Sequence, residues 1–283
     1  MSNSESGKRK RVALVIQYLG SAFYGWQRQP RYRTVQEEIE AAIHRAVASH
    51  APDEWISLQG AGRTDSGVHA AAQVAHFDVI SPIPAEKFAT VLNKELPDEI
   101  LIRASAKVSP NWHARFSASY RRYRYTLYTA APPNLFLAPW SWHYYYAPID
   151  EAAIAAALKP LLGYHDLAAF CRAGSERAHT WVNVQEVQCV RNGPLVEIEM
   201  QADGFLYGMV RLLVGLLVKV GTGELTPAEF AEIWQHQQRD RVKYSAPAKG
   251  LCLLRVGYEE FPFPQSIWFN SQPHFYLATE NLL

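Results

Sequence analysis

The chain begins with a β-patterned apolar run, VALVIQY (12–18), closed by the turn residues Gly20 and Ser21. The period then changes. Val35, Ile39, Ile43 and Val47 recur at helical spacing behind a capping box of Thr34 and Glu37, so TVQEEIEAAIHRAVASH predicts a helix ending before Pro52. EWISLQ (54–59) reads as a strand that runs into a glycine-framed loop, and QVAHFDV (73–79) alternates like the strand returning from it. A second helix is predicted over 85–96, between Pro84 and Pro97, followed by a strand in LIRASAKVS.

The second half repeats this style. SYRRYRYTLYT (119–129) is aromatic, β-branched and free of turn residues, which predicts a long strand, and APPNLFLAP then breaks regularity. Asp150 caps a helix through about Leu162. WVNVQEVQCVRNGPLVEIEMQA holds two strands joined at Asn192 and Gly193. GFLYGMVRLLVGLLVKVG (204–221) reads as an apolar helix, and Thr226, Pro227 and Glu229 open another with proline at its first position. LCLLRVGY is a last strand, and no periodicity follows Pro264. Alternating elements with hairpins and short returns predict an α+β fold, a mainly antiparallel mixed sheet with helices packed on one face. The organisation expected is a basic arm over 1–10, an α+β half over 11–110, a second over 111–262, and a tail over 263–283. One echo, Gln17…Gly20…Tyr24-Gly25…Arg28 against Gln201…Gly204…Tyr207-Gly208…Arg211, hints at related halves, although spacing alone favours coincidence.

Composition narrows the class. Of the 283 residues 48% are hydrophobic and 19% charged, as in ordinary globular proteins. No apolar run approaches the roughly 18–20 residues of a membrane span, and the basic start lacks a cleavage site, so a first strand is expected rather than a leader. Cys171, Cys189 and Cys252 form no C-x-x-C pair, which argues against a zinc knuckle or disulfide framework and for a reducing, cytoplasmic setting. The net charge is only +1, but basic residues bunch at 8–11, at Arg28/Arg31/Arg33, at Arg121/Arg122/Arg124 and at Arg239/Arg241/Lys243, interleaved with aromatics. Such clusters suit a polyanion with exposed bases, or are simply solvated faces.

The chemistry concentrates in AGRTDSGVHA (61–70), where Asp65 is the lone carboxylate among small residues. Glycines permit positive φ and close approach of a ligand, but an aspartate in a tight turn can equally cap backbone N–H groups. Arg211 lies in an otherwise apolar helix, on a face expected to carry Gly204, Gly208 and Gly215, and a buried guanidinium needs a carboxylate. Asp65 is one candidate partner and another acid is equally admissible. Tyr123 is mid-strand, and alternation leaves open whether it faces the core, the reading favoured by the pattern alone, or stacks on a base. A metal site from Asp65, His69 and His76 lacks a further ligand at suitable spacing, and a Ser–His–Asp reading lacks the G-x-S-x-G elbow.

Taken together, YLGSAFYGWQRQ, TVQEEIE, AGRTDSGVHA, QVAHF, WHARFSASYRRYRY, GFLYGMVRLLVG and APAKGLCLLRVGY closely resemble the tRNA pseudouridine synthase A family, in family order over about 11–258. The resemblance implies two related halves around a central cleft. It also implies isomerisation of uridine to pseudouridine at positions 38–40 of the tRNA anticodon arm, with neither cofactor nor metal. Carried over, Asp65 is the catalytic aspartate, Arg211 its ion-pair partner and Tyr123 the aromatic on the target base. Arg63 is the residue that fills the space left by the flipped nucleotide. The family is homodimeric, with tRNA across both subunits. Leu19 stands where the family usually has an acid, and the tail past Pro264 has no counterpart. A non-catalytic tRNA chaperone and a small-molecule acid/base enzyme are the rival readings.

Overall fold

A computed structural model of the chain describes residues 9–48, 56–174 and 178–277. Most of the basic arm, the start of the EWISLQ strand, the end of the first helix and the last residues of the tail lie outside them. In chain order the elements are β1 (Lys10–Tyr18), α1 (Val35–Val47), β2 (Gln59–Gly60), β3 (His69–Val79), α2 (Phe88–Leu92), β4 (Ile100–Val108), β5 (Ala118–Tyr128), β6 (Trp142–His143), α3 (Glu151–Leu158), β7 (Gly163–Asp166), β8 (Trp181–Asn192), β9 (Leu195–Ala202), α4 (Met209–Gly221), α5 (Pro227–Gln235), β10 (Leu251–Tyr258) and α6 (Ser266–Ser271). The α+β class read from the pattern is the one observed. Among the described residues no helix is long and apolar enough to cross a membrane.

The chain forms two compact units. One runs to Ser119 and takes back Leu253–Pro273, and the other comprises Tyr120–Cys252 with the residues from His274 onward. The division therefore differs from a simple split into consecutive halves, because nearly all of β10 returns to the first unit.

In the first unit the strands lie in the order β4-β1-β3-β10, with β2 on β3. β1 is antiparallel to both β3 and β4. α1 starts as its capping residue dictates, Thr34 accepting from the Glu37 N–H, and the apolar stripe Val35, Ile39, Ile43 and Val47 is fully buried. Of the strand expected over 54–59, residues 54 and 55 lie outside the described residues, 56–58 are not in a strand, and pairing begins only at Gln59–Gly60. The preceding backbone is claimed from α1 instead: the Leu58 N–H donates to Glu40 at 3.0 Å, and the Leu58 carbonyl accepts from Gln36 at 3.1 Å. The helix expected over 85–96 is likewise only Phe88–Leu92 after a 3-10 turn. Asn93 caps its end, and the Asn93 side-chain amide pairs with both backbone groups of Ile102, at 2.8 and 2.9 Å. Past Pro264 the chain forms α6, whose buried Trp268 stacks on Phe261 at 4.5 Å, and Gln17 donates to the Ser271 carbonyl.

In the second unit the order is β5-β9-β8-β7, with β6 parallel to the end of β5. β8 and β9 form the expected hairpin, Gly193 supplying a φ of 55° at the turn. α3 stops at Leu158, before Pro160, which turns the chain into a 3-10 segment. α4 is shorter than its apolar run suggests: it begins at Met209, since Gly208 sits at φ 70°. Gly204 and Gly208 are thus outside the helix, and of the predicted glycine face only Gly215 shares it with Arg211.

Candidate functional site

Asp65 and Arg63 belong to the first unit, and Tyr123 and Arg211 to the second. The loop 61–68 bridges β2 and β3 and is held from outside by the segment that follows β1. Tyr18 and Thr64 share a hydroxyl hydrogen bond of 2.7 Å. The Trp26 N–H donates to the Thr64 carbonyl at 3.1 Å, and the Gly67 N–H to the Phe23 carbonyl at 3.3 Å. Two glycines make this contact sterically possible. A Cβ on Gly20 would stand 1.9 Å from the Val68 carbonyl oxygen, and one on Gly25, whose φ is 94°, would stand 2.8 Å from that of Thr64. The loop's far end is closed by Gln73, buried, which donates to the Gly62 carbonyl at 2.9 Å. Asp65 itself closes a turn through its carbonyl, which accepts from the Val68 N–H at 3.1 Å, while its side chain is half-buried and Arg63 is exposed. This is a backbone fixed on three sides around a residue that is itself half-buried.

The two histidines weighed as metal ligands serve the backbone. His69 Nδ1 accepts from the Gly20 N–H at 3.1 Å, and His76 Nδ1 accepts from the Ala114 N–H at 3.2 Å. Burial, with His113 and Arg11 close by, lowers the His76 pKa to about 4 despite the opposing carboxylate of Asp78.

In the second unit Tyr123 is 7% exposed and meets Phe205 edge to face, ring centres 4.9 Å apart. Its side chain is thus largely buried, with Phe205 against one side of the ring. Its neighbours on the other face of β5 are not the phosphate-binding stripe that their charge suggested. Arg122 and Arg124 both reach Glu199, at 2.6 and 2.7 Å, Arg122 also pairs with Glu186, and Arg124 with Glu197 at 3.4 Å. Arg121 donates to the Asp203 carbonyl at 2.8 Å. Burial opposes ionisation of Glu199, but Arg124 and Arg122 outweigh it and hold that carboxyl below its usual range.

Arg211 is half-buried on the first turn of α4 and is clamped to Ala246: its Nε donates to the Ala246 carbonyl at 2.7 Å, and its own carbonyl accepts from the Ala246 N–H at 2.9 Å. Gly215, one turn on, lets the same segment approach, since a Cβ there would lie 2.3 Å from the Tyr244 carbonyl oxygen. Tyr125 supports the segment from beneath, donating to the Pro247 carbonyl at 2.8 Å, with Gly250 against its ring. Burial raises the Tyr125 hydroxyl pKa well above its ordinary value although the Arg211 charge acts against it.

Arg172 escaped the sequence reading. Its guanidinium lies over Tyr207 at 5.8 Å and donates to Ser245 at 2.7 Å, and its side chain covers the Cα of Gly208. Only the pairing of an arginine with a distant Tyr-Gly step could have signalled it, and spacing does not encode that. The echo between halves has a conformational counterpart at that step. Tyr24-Gly25 and Tyr207-Gly208 both follow strand ends, expose the tyrosine and set the glycine at positive φ, 94° and 70°. The likeness ends there, because Arg211 is helical whereas Arg28 is in a loop.

Comparison with known proteins identifies the family. A family model described as tRNA pseudouridine synthase matches residues 14–117 and 157–259. A tRNA pseudouridine synthase A of Nostoc sp. is 60% identical over 283 residues, covering 100% of this chain and 99% of its own. That of Rippkaea orientalis is 63% identical over 275 residues, covering 97% and 92%, and that of Synechocystis sp. 58% over 274 residues, covering 96% and 98%. With both matched segments spanning the Asp65 loop in one unit and the start of α4 in the other, the chain belongs to the tRNA pseudouridine synthase family.

Proposed function

We propose that the chain is an isomerase that converts uridine to pseudouridine in tRNA, acting at positions 38–40 of the anticodon arm, as a homodimer in the cytoplasm. Asp65 is its catalytic carboxylate. Arg211 pairs with Asp65, Tyr123 packs on the target base, and Arg63 fills the gap that the base leaves. Family membership supports the reaction, and the observation that carries the assignment of Asp65 is its setting: the one carboxylate, on a half-buried residue, of a loop whose backbone is pinned by Tyr18, Phe23 and Trp26.

The reaction is balanced without any co-reactant. The bond from N1 to C1′ breaks, the base turns, C5 joins C1′, the C5 proton leaves, and N1 takes up a proton. An ionised Asp65 can serve either by attacking C1′ or by removing a sugar proton, and both need a carboxylate held in fixed orientation. A stacked nucleotide must be flipped out first, at a few kcal/mol, and stacking on an aromatic returns about 1–3 kcal/mol of that. The Ala246 clamp fixes the Arg211 guanidinium, as an ion-pair partner for a catalytic acid requires.

Tritium release from [5-³H]uridine-labelled anticodon stem-loop tests the reading. Wild type is expected to release tritium, and Asp65→Asn to bind the RNA equally while losing about 10²–10⁴-fold in rate. Binding without release by wild type would favour a tRNA chaperone instead. Light scattering at micromolar concentration is expected to give twice the chain mass.

A further inference from the structure

The loop 24–33 joins the segment that pins Asp65 to α1, and it carries more than that role needs. Tyr24 and Tyr32 are 55% and 49% exposed, yet their rings lie together, centres 4.6 Å apart and planes at 40°. The loop beneath them is stiff. The Tyr24 N–H donates to the Arg33 carbonyl at 2.9 Å, Gln29 donates to the Tyr24 carbonyl at 3.0 Å, and the Arg28 N–H donates to Gln36 at 3.1 Å. Gln29 and Tyr32 close a turn as a β-bridge, with Pro30 and Arg31 at its tip.

Arg31 has φ 69°, following a proline in a turn where the second central residue is normally glycine. An arginine at such a position strains the backbone, and strain of this kind concentrates where a side chain has work to do. The neighbouring cations are otherwise engaged: Arg33 pairs with Glu38 at 2.6 Å and Glu99 at 3.5 Å, and Arg28 stands 3.9 Å from Glu37. The exposed tip thus presents an arginine beside two solvent-facing rings. Its position is also fixed with respect to the chemistry, because Gly25, next to Tyr24, lies against the backbone of Thr64, Asp65 and Ser66.

We propose that this loop is an RNA contact of the enzyme: an unpaired base flanking the target nucleotide stacks on the Tyr24–Tyr32 platform, and Arg31 meets an adjacent phosphate. The proposal rests on the reading of RNA as substrate. Aromatic platforms beside a cation are the usual chemistry for unpaired nucleotides, since every base has a π-face and every nucleotide a charge.

The test is anisotropy titration of labelled anticodon stem-loop RNA, with tritium release run on the same proteins. The variants are Tyr24→Leu/Tyr32→Leu, Tyr24→Phe/Tyr32→Phe and Arg31→Gly. The leucine pair is expected to weaken Kd and raise KM about tenfold with kcat little changed, and the phenylalanine pair to stay within about twofold of wild type. Arg31→Gly is expected to raise Tm, because glycine takes positive φ without strain, yet to weaken binding and lower the slope of log K against log salt by about one. A purely structural loop would give the higher Tm with unchanged binding, which overturns the proposal. So would wild-type affinity in the leucine pair, or a change of mass in place of a change in RNA binding. Should wild type bind RNA and lose that binding in the leucine pair, yet release no tritium, the contact stands and the isomerase reading falls. Release by wild type with unchanged KM in the variants gives the reverse.

Discussion

Gly25 lies flat against the peptide of Asp65: a Cβ built on it would be 3.3 Å from the Asp65 carbonyl carbon and 2.8 Å from the Thr64 carbonyl oxygen. The candidate catalytic residue is therefore positioned by a residue forty positions earlier, through the absence of a side chain. The same packing explains why the stretch from Tyr18 to Trp26 travels with the Asp65 loop in the resemblance between this chain and its family.

Gly25→Ala should be costly on two counts, a positive φ and a clash with backbone that cannot swing away. A loss of at least about 2 kcal/mol in urea unfolding is expected, with tritium release reduced more than tenfold at a temperature where the variant is folded. Gly62→Ala is the contrast, since a Cβ there meets nothing within 4 Å. Its stability should stay within about 0.5 kcal/mol of wild type. Equal losses in the two variants would show that the close approach at Gly25 does not fix the loop.

Arg172 should matter through Arg211. It donates to Ser245, and the next residue, Ala246, clamps Arg211 on both backbone and side chain. Arg172→Lys keeps the charge but loses the planar fork that reaches Ser245 while lying over Tyr207. A roughly tenfold fall in kcat with KM within about twofold is the expected split, and Ser245→Ala should reproduce part of it. A change confined to KM would instead make Arg172 a direct RNA contact.

The sequence disclosed those elements whose cause is local. The Thr34 cap, the stripe from Val35 to Val47 and the Asn192-Gly193 turn are written in neighbouring residues, and the structure has them where the pattern put them. What failed was decided by partners far along the chain. Leu58, expected within a strand, gives its backbone to Gln36 and Glu40, the Asn93 side chain at the end of the second helix is drawn to Ile102, and α4 began late because Gly208 turns under Arg172. Asp65 was legible as a candidate because a lone acid among glycines is unusual. The use of Arg122 and Arg124 was not, because a charged residue reads alike in sequence whether it awaits a phosphate or is already matched by Glu199 on the adjoining strand.

Glu199 gives that point a measurable form. Its side chain is 6% exposed and receives both guanidiniums. Glu199→Ala leaves two arginines short of their carboxylate in a largely buried setting, so a loss of about 3–5 kcal/mol in urea unfolding is expected. Replacing all three residues together with apolar side chains of similar volume should cost much less than the single change. A loss below about 1 kcal/mol for Glu199→Ala would mean that water reaches the pair and screens it.

His76 predicts how the first unit responds to acid. Its ring accepts the Ala114 N–H through Nδ1 and stands edge-on to Trp112 and His113. Burial comes first among the causes that lower its pKa to about 4, then the charges of His113 and Arg11, against Asp78 and a backbone hydrogen bond with Gln59 that favour the proton. Above the ordinary histidine value of about 6.5 it is neutral folded or unfolded and contributes no pH dependence. As pH falls from there towards 4 the unfolded chain takes up the proton first, so folded stability declines through that window. Allowing for partial screening, the histidine's share between pH 7.5 and 4.5 is about 1–2 kcal/mol. His76→Asn retains an acceptor for the Ala114 N–H and cannot titrate. Urea unfolding at the two pH values should show the variant losing less stability than wild type by about that amount, and equal losses would mean that His76 takes up its proton in the folded protein as readily as in the unfolded chain.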